Sequence, residues 1–180
     1  MHLETYIVDL IEGRKESPIL KGILYGMSQF FGTGVKIRNY AFDKNWIKEN
    51  KVSIPVLSVG NIIAGGTGKT ALIQLLAKDL SAKGKISILS RGYRSKAEKT
   101  KEPLCLEMGF DFPPDICGDE PFILSKSLPE ASLFIGKDRL CSAKKAVEYD
   151  ADLILLDDGM QYRSLYRDFE LIILHAEDLY

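Results

Sequence analysis

Gly60-Asn61-Ile62-Ile63-Ala64-Gly65-Gly66-Thr67-Gly68-Lys69-Thr70 is the stretch on which the fold turns. It follows an apolar run of β type over residues 52–59 and opens an amphipathic helical pattern over residues 68–83. Strand, glycine-rich loop and helix in that order make a phosphate-binding P-loop. The glycines let the backbone turn its N–H groups inward around phosphate oxygens, and the helix presents its positive end to them. Gly65, Gly66, Thr67, Gly68, Lys69 and Thr70 are the expected nucleotide-binding set. Lys69 would reach the β- and γ-phosphates, and the Thr70 hydroxyl would ligate Mg2+. The strict pattern G-x-x-x-x-G-K-[ST] asks for glycine where this chain has Ile63.

Outward from the loop, strand-like and helix-like segments alternate. Residues 86–90 predict a buried strand, 104–108 a weaker one, 119–128 a helix and 131–135 a strand. Residues 138–149 read as a helix, 152–156 as a very apolar strand, and 170–175 as a last buried strand. Continuous apolar strands separated by helices specify an α/β fold of P-loop NTPase type, with a mainly parallel sheet covered on both faces. A doubly wound domain rarely stops just past a strand. Either a covering element is missing or that strand is an edge.

Three further groups of residues bear on chemistry. Leu153-Ile154-Leu155-Leu156-Asp157-Asp158-Gly159 is an apolar strand delivering acids at its carboxyl end. That is where a P-loop protein places its Walker-B carboxylate beside the metal, so Asp157 and Asp158 join Thr70 as expected metal ligands. In Gly118-Asp119-Glu120-Pro121, the proline fits the first turn of a helix with Asp119 as cap. Phosphoryl transfer to an alcohol also needs a carboxylate near the acceptor oxygen, and Asp119 is the candidate. Arg91 follows the 86–90 strand and falls at the same carboxyl edge, where it would contact a phosphate or a lipid phosphate.

With 46% hydrophobic and 27% charged residues the chain is ordinary globular protein rather than a disordered one. A formal charge of −1 supplies no global field toward nucleic acid. Cys105, Cys117 and Cys141 are scattered, which reads as reduced thiols in a cytosolic protein. No secretory signal is visible at the N-terminus. Residues 2–13 suggest a short polar helix ended by Gly13, and Ser17-Pro18 supplies the start of another. That second segment carries no charge between Lys21 and Lys36 and is apolar and aromatic, with a basic shoulder of Lys36, Arg38, Lys44, Lys48 and Lys51. It is too short to span a bilayer, and Gly22, Gly26, Gly32 and Gly34 weaken it as a helix. It could lie in a membrane interface or pack on the domain core.

Together these segments resemble the tetraacyldisaccharide 4'-kinase family, the lipid A 4'-kinases of Gram-negative bacteria. The resemblance rests on Val56-Leu57-Ser58-Val59-Gly60-Asn61-Ile62, the run from Gly65 to Thr70, Leu89-Ser90-Arg91-Gly92-Tyr93, Gly118-Asp119-Glu120-Pro121 and Leu156-Asp157-Asp158-Gly159-Met160-Gln161. Arg167-Asp168 also fits, and Leu24-Tyr25-Gly26 with Arg38-Asn39 looks like the family's membrane-docking helix. The resemblance implies transfer of the γ-phosphate of ATP, with Mg2+, to the 4'-hydroxyl of a tetraacylated glucosamine disaccharide, a lipid A precursor. It implies catalytic roles for Asp119, Lys69 and Asp158, and substrate binding by Arg91, Tyr93, Glu120 and Gln161. It favours the membrane interface for the first helix, dividing the chain into a membrane-interface segment over residues 1–50 and a kinase core over 51–180. The expected location is peripheral, on the cytoplasmic face of the inner membrane, with no nucleic acid and no protein partner indicated.

The chain departs from the family pattern in two places. Tyr162 stands where members usually carry histidine, and family chains are nearly twice as long. Their C-terminal part supplies a histidine partner for the Gly-Asp-Glu-Pro aspartate, a part His175 does not replace. The chain is therefore expected to be the N-terminal part of such a kinase. Other readings are a P-loop ATPase of the partitioning type, disfavoured by Ala64 where those proteins carry lysine, and a non-catalytic nucleotide- and lipid-binding remnant.

Overall fold

Strands buried on both faces must show apolar side chains at successive positions, and the strands around the P-loop do. In the computed structural model, which describes residues 6–7, 9–10, 13–14, 16–62, 68–106 and 112–174, six strands form one sheet. They are β1 (Val56–Asn61), β2 (Ile86–Ser90), β3 (Leu104–Leu106), β4 (Ser132–Ile135), β5 (Leu153–Asp157) and β6 (Phe169–Ile173), in the order β3-β4-β2-β5-β1-β6. All neighbours are parallel except β3 and β4. The helices are α1 (Pro18–Asp43), α2 (Lys69–Ser81), α3 (Pro114–Cys117), α4 (Asp119–Ser127) and α5 (Arg139–Glu148).

Successive residues of a strand point to opposite faces, and each face is claimed by different helices. Ile88, Leu133, Ile135 and Leu155 pack with Ile73 and Ala77 of α2 and Leu124 of α4. Their alternates Leu89, Phe134, Ile154 and Leu156 pack with Ala143 and Ala146 of α5. β1 begins later than residue 52 because Pro55 offers no N–H to a ladder. Val52 and Ile54 still pack against the α5-side core, ahead of the strand.

The chain divides into two compact units, residues 1–48 and 49–180. In the first, residues 6–7 and 9–10 are helical and Gly13 has φ +76°, ahead of α1. Ser17 occupies the cap position of α1 without a side-chain cap bond, and Pro18 follows it. The four glycines do not interrupt this 26-residue helix. At about 1 kcal/mol each they only lower its margin.

The last strand differs from expectation. Among the described residues β6 is an edge, paired with β1 alone, and Phe169, Leu171, Ile172 and Leu174 are exposed rather than buried. An apolar run reports that a strand could be covered, not that anything covers it. Met108, His2 and His175 lie outside the described residues.

Candidate functional site

Chain order places the site. β1 feeds α2, which crosses over β5 to reach β2, so a crevice opens at the carboxyl ends of β1, β5 and β2. Gly68 caps α2 with φ +79°, a left-handed conformation that favours glycine. Ile63, Ala64, Gly65, Gly66 and Thr67 lie outside the described residues. Lys69 and Thr70 form the first turn of α2, both half-buried.

Lys69 Nζ lies 3.4 Å from Asp158 Oδ1 and 3.9 Å from Asp157 Oδ1, and it donates to Asn61 Oδ1 at 3.5 Å. Asp157 closes β5 and is only 5% exposed. The Ser90 hydroxyl at the end of β2 donates to its Oδ2 at 3.1 Å. Burial nevertheless pushes the Asp157 carboxyl up to about 6, against the pull of Lys69 and the Ser90 bond and with help from the charges of Glu120 and Asp158. Asp158 turns out of the strand at φ +54°, an uncommon conformation for a residue with a side chain, and leaves its carboxylate half exposed beside Lys69.

Close backbone approaches fix these loops. A Cβ at Gly60 would lie 2.7 Å from Met160 Cγ, so the end of β1 sits directly against the turn that follows Asp158. Gly92 (φ +61°) and Gly118 (φ +98°) let two loops touch: a Cβ on Gly118 would lie 3.1 Å from Gly92 Cα. Arg167 donates to the Gly159 carbonyl at 3.0 Å, and the Val56 N–H donates to Asp168 Oδ2 at 3.0 Å. Lys51 pairs with the other Asp168 oxygen at 3.0 Å. The Arg167-Asp168 pair thus ties the acid-bearing turn and the start of β1 together.

A cleft of about 680 Å3 occupies the crevice. Lys69, Asp157, Asp158, Arg91, Tyr93, Glu120 and Gln161 line it together. Arg91 also pairs with Glu98 at 2.6 Å. Asp119 is exposed and does not line the cleft, and it makes no side-chain cap bond; the cap of α4 is Gly118. The capping role read for Asp119 therefore falls, since a residue already inside the first turn points its carboxylate away from the free N–H groups.

One residue of the cleft went unread in the sequence. Arg139, the first residue of α5, is 6% exposed and lines the cleft, and its Nε has no hydrogen-bond partner among the described residues. Its Nη1 reaches only the Gly136 and Lys137 carbonyls, at 3.5 and 3.4 Å. Burial, and then Arg91, lower its pKa, while Asp157 and Asp158 support its charge. A buried guanidinium that makes no direct carboxylate pair among the described residues is fit to receive an anion. The available signal was positional: Arg139 follows β4 much as Arg91 follows β2.

Residues 20–180 match the family model for LpxK, tetraacyldisaccharide-1-P 4'-kinase. The chain is 36% identical over 165 residues to the tetraacyldisaccharide 4'-kinase of Aquifex aeolicus, covering 89% of this chain and 51% of that one. It is 34% identical over 178 residues to the same enzyme of Halothermothrix orenii, covering 96% of this chain and 46% of that one. The fold matches a crystal structure of Aquifex aeolicus LpxK in complex with ATP, with a TM-score of 0.77 and 36% identity over 89% of this chain and 50% of that one. The chain thus spans about half the length of the relatives it matches. A family match over nearly all of its residues, on a shared fold, makes this chain a member of the tetraacyldisaccharide-1-P 4'-kinase family.

Proposed function

We propose that this chain carries the nucleotide-binding and phosphoryl-transfer half of a kinase that moves the γ-phosphate of ATP to the 4'-hydroxyl of a tetraacylated disaccharide phosphate, a lipid A precursor. The observation that carries this reading is the convergence of Lys69, Asp157 and Asp158 at the carboxyl ends of β1 and β5. Lys69 exchanges its carboxylate neighbours for the β- and γ-phosphates, and the N–H groups at the start of α2 face the remaining oxygens. Among the described residues no three His, Cys, Asp or Glu side chains form a metal cage. Two carboxylates and the Thr70 hydroxyl are the hard-oxygen set that suits Mg2+, which keeps waters and phosphate oxygens as its other ligands. When bound, Mg2+ offsets charge on the β- and γ-phosphate oxygens. Arg91, Tyr93, Glu120 and Gln161 would contact the acceptor, Arg139 would pair with an anionic oxygen in the cleft, and Asp119 would activate the acceptor hydroxyl.

The acceptor is a lipid, and α1 supports a membrane role. Phe30 is 86% exposed and Phe31 74%, with Ile19, Ile23 and Met27 also exposed. Each such side chain forgoes about 1.5–3 kcal/mol by staying in water. No acid occurs between Pro18 and Phe42, while Lys21, Lys36 and Arg38 do. Apolar and cationic together, this helix suits the interface of an anionic bilayer. Among the described residues no helix is long and apolar enough to cross a membrane. The chain would thus work peripherally at the cytoplasmic face of the inner membrane.

The test is transfer from radiolabelled ATP to a tetraacyldisaccharide 1-phosphate in mixed micelles. Acceptor-dependent label in the lipid is expected, and Asp119→Ala should lower it by about 10²–10⁴-fold while nucleotide binding persists. Glu120→Ala, made in parallel, separates activation from contact in the cleft. ATP hydrolysis indifferent to the acceptor would refute the kinase reading. Binding of both ligands without product would make the chain a non-catalytic binding half.

A further inference from the structure

Arg91 lines the cleft with a side chain that is 46% exposed. An arginine so placed ordinarily samples many rotamers, and each contact it makes forfeits that freedom. The loop after β2 removes the difficulty. Gly92 and Arg94 both turn the backbone at φ +61°, and a 3-10 turn over Ala97–Lys99, anchored by the buried Ala97, returns Glu98 to the end of β2. Glu98 is then pinned at three points. Its N–H donates to the hydroxyl of the buried Ser95 at 3.2 Å, its Oε2 receives the Arg94 N–H at 2.9 Å, and its Oε1 receives Arg91 Nε at 2.6 Å. Burial raises the Glu98 pKa, but the bonds from Arg94 and Arg91 and the charges of Arg91 and Lys137 outweigh it and hold the carboxyl below its ordinary value. The Arg94 bond also supports a backbone conformation uncommon for a residue with a side chain. Because the main chain fixes the carboxylate, this pair escapes much of the entropy loss that weakens a surface ion pair.

We propose that Glu98 is a positioning residue for the acceptor and that it acts through Arg91. Glu98 does not line the central cleft; it stands behind Arg91, on the wall of a neighbouring cavity. By taking Nε it leaves the two Nη groups of Arg91 as a planar fork, the shape that suits bidentate contact with oxygen. Among the described residues that fork makes no other hydrogen bond or ion pair. The inference rests on the kinase reading above, in which Arg91 contacts the acceptor. A guanidinium whose rotamer is already set loses less entropy when its ligand arrives, so the effect of Glu98 falls on acceptor affinity.

The experiment is a double-mutant cycle on binding of the full chain to the tetraacyldisaccharide 1-phosphate in neutral detergent micelles. Arg91→Ala should weaken binding by about 10- to 100-fold, the worth of a charged hydrogen bond, and Glu98→Ala by about 3- to 10-fold, the worth of an ordinary one. In the Arg91→Ala background Glu98→Ala should add less than about 2-fold, because its route to the ligand is gone. Glu98→Gln keeps one acceptor oxygen and should recover part of the loss. Glu98→Ala should still bind a fluorescent ATP analogue as wild type does, which reports a folded core. Effects of the two alanine changes that multiply in the double variant would overturn the inference and leave the kinase reading standing. So would glutamine no better than alanine, or an equal loss of affinity for the ATP analogue and the acceptor. An Arg91→Ala variant that binds the acceptor normally would overturn it too, and would remove Arg91 from the acceptor contacts. Failure of the wild type to bind the acceptor would refute the kinase reading and this inference with it.

Discussion

Asp157→Asn should make the ligand-free protein more stable at neutral pH, although it damages the centre of the site. The Asp157 carboxyl titrates at about 6 in the fold against an ordinary value of 3.8. The folded state therefore keeps this proton to higher pH than the unfolded chain does. A gap of about 2 units at 1.36 kcal/mol each means that holding Asp157 ionised costs the fold about 3 kcal/mol. That cost is fully present above pH 6–7, shrinks as pH falls through 6, and is gone below 3.8. The attraction of Lys69 at 3.9 Å is already counted in the net shift, and an asparagine oxygen can still accept from Ser90. In EDTA at pH 8 the variant should gain about 3 kcal/mol, moving a urea midpoint followed by far-ultraviolet circular dichroism upward by about 1–3 M. At pH 4 the two curves should converge. With Mg2+ and ATP added the difference should shrink, because the wild type, keeping both carboxylates, gains more from binding. A variant no more stable than wild type at pH 8, or a difference undiminished at pH 4, would show that desolvation does not govern this carboxylate.

Lys69→Ala removes the cation proposed to meet the β- and γ-phosphates, and titration with a fluorescent ATP analogue should show affinity falling by about 10²-fold or more. Phe30→Glu with Phe31→Glu should abolish co-sedimentation with anionic vesicles and leave nucleotide affinity unchanged; retained vesicle binding would remove α1 from the membrane reading. Gly92→Ala combines strain at φ +61° with a Cβ 2.7 Å from the Cys117 carbonyl, and denaturant unfolding should register a loss of about 2–4 kcal/mol.

Much of the fold was legible because its signals were local and agreed. Residues 86–90 read as a strand are β2 to the residue, and the helix read over 68–83 is α2 within a few residues of each end. The errors fall where a property depends on something distant. Burial of β6 could not be read from Phe169, Leu171 and Ile172, because coverage belongs to whatever lies opposite. The continuity of α1 through Gly22, Gly26, Gly32 and Gly34 was underestimated, since propensity lowers a helix's margin without setting its limits.

The site was legible as a set of motifs but not as a surface. Lys69, Asp157 and Asp158 meet because a P-loop and a Walker-B strand have fixed places in this topology. Arg139 escaped because nothing in sequence separates a buried arginine at a helix start from a solvated one. Asp119 and Glu120 mark the limit most clearly. Adjacent residues of a helix point about 100° apart, so at most one of two neighbouring acids can face a narrow cleft squarely. Here that residue is Glu120, whose charge also raises the Asp157 carboxyl. Asp119 sits one position away, just after Gly118, which has φ +98° and packs against Gly92. For Asp119 to reach an acceptor hydroxyl, the acceptor must extend past the Glu120 side of the cleft. The Asp119→Ala and Glu120→Ala pair therefore reports on the reach of the acceptor as much as on the identity of the base.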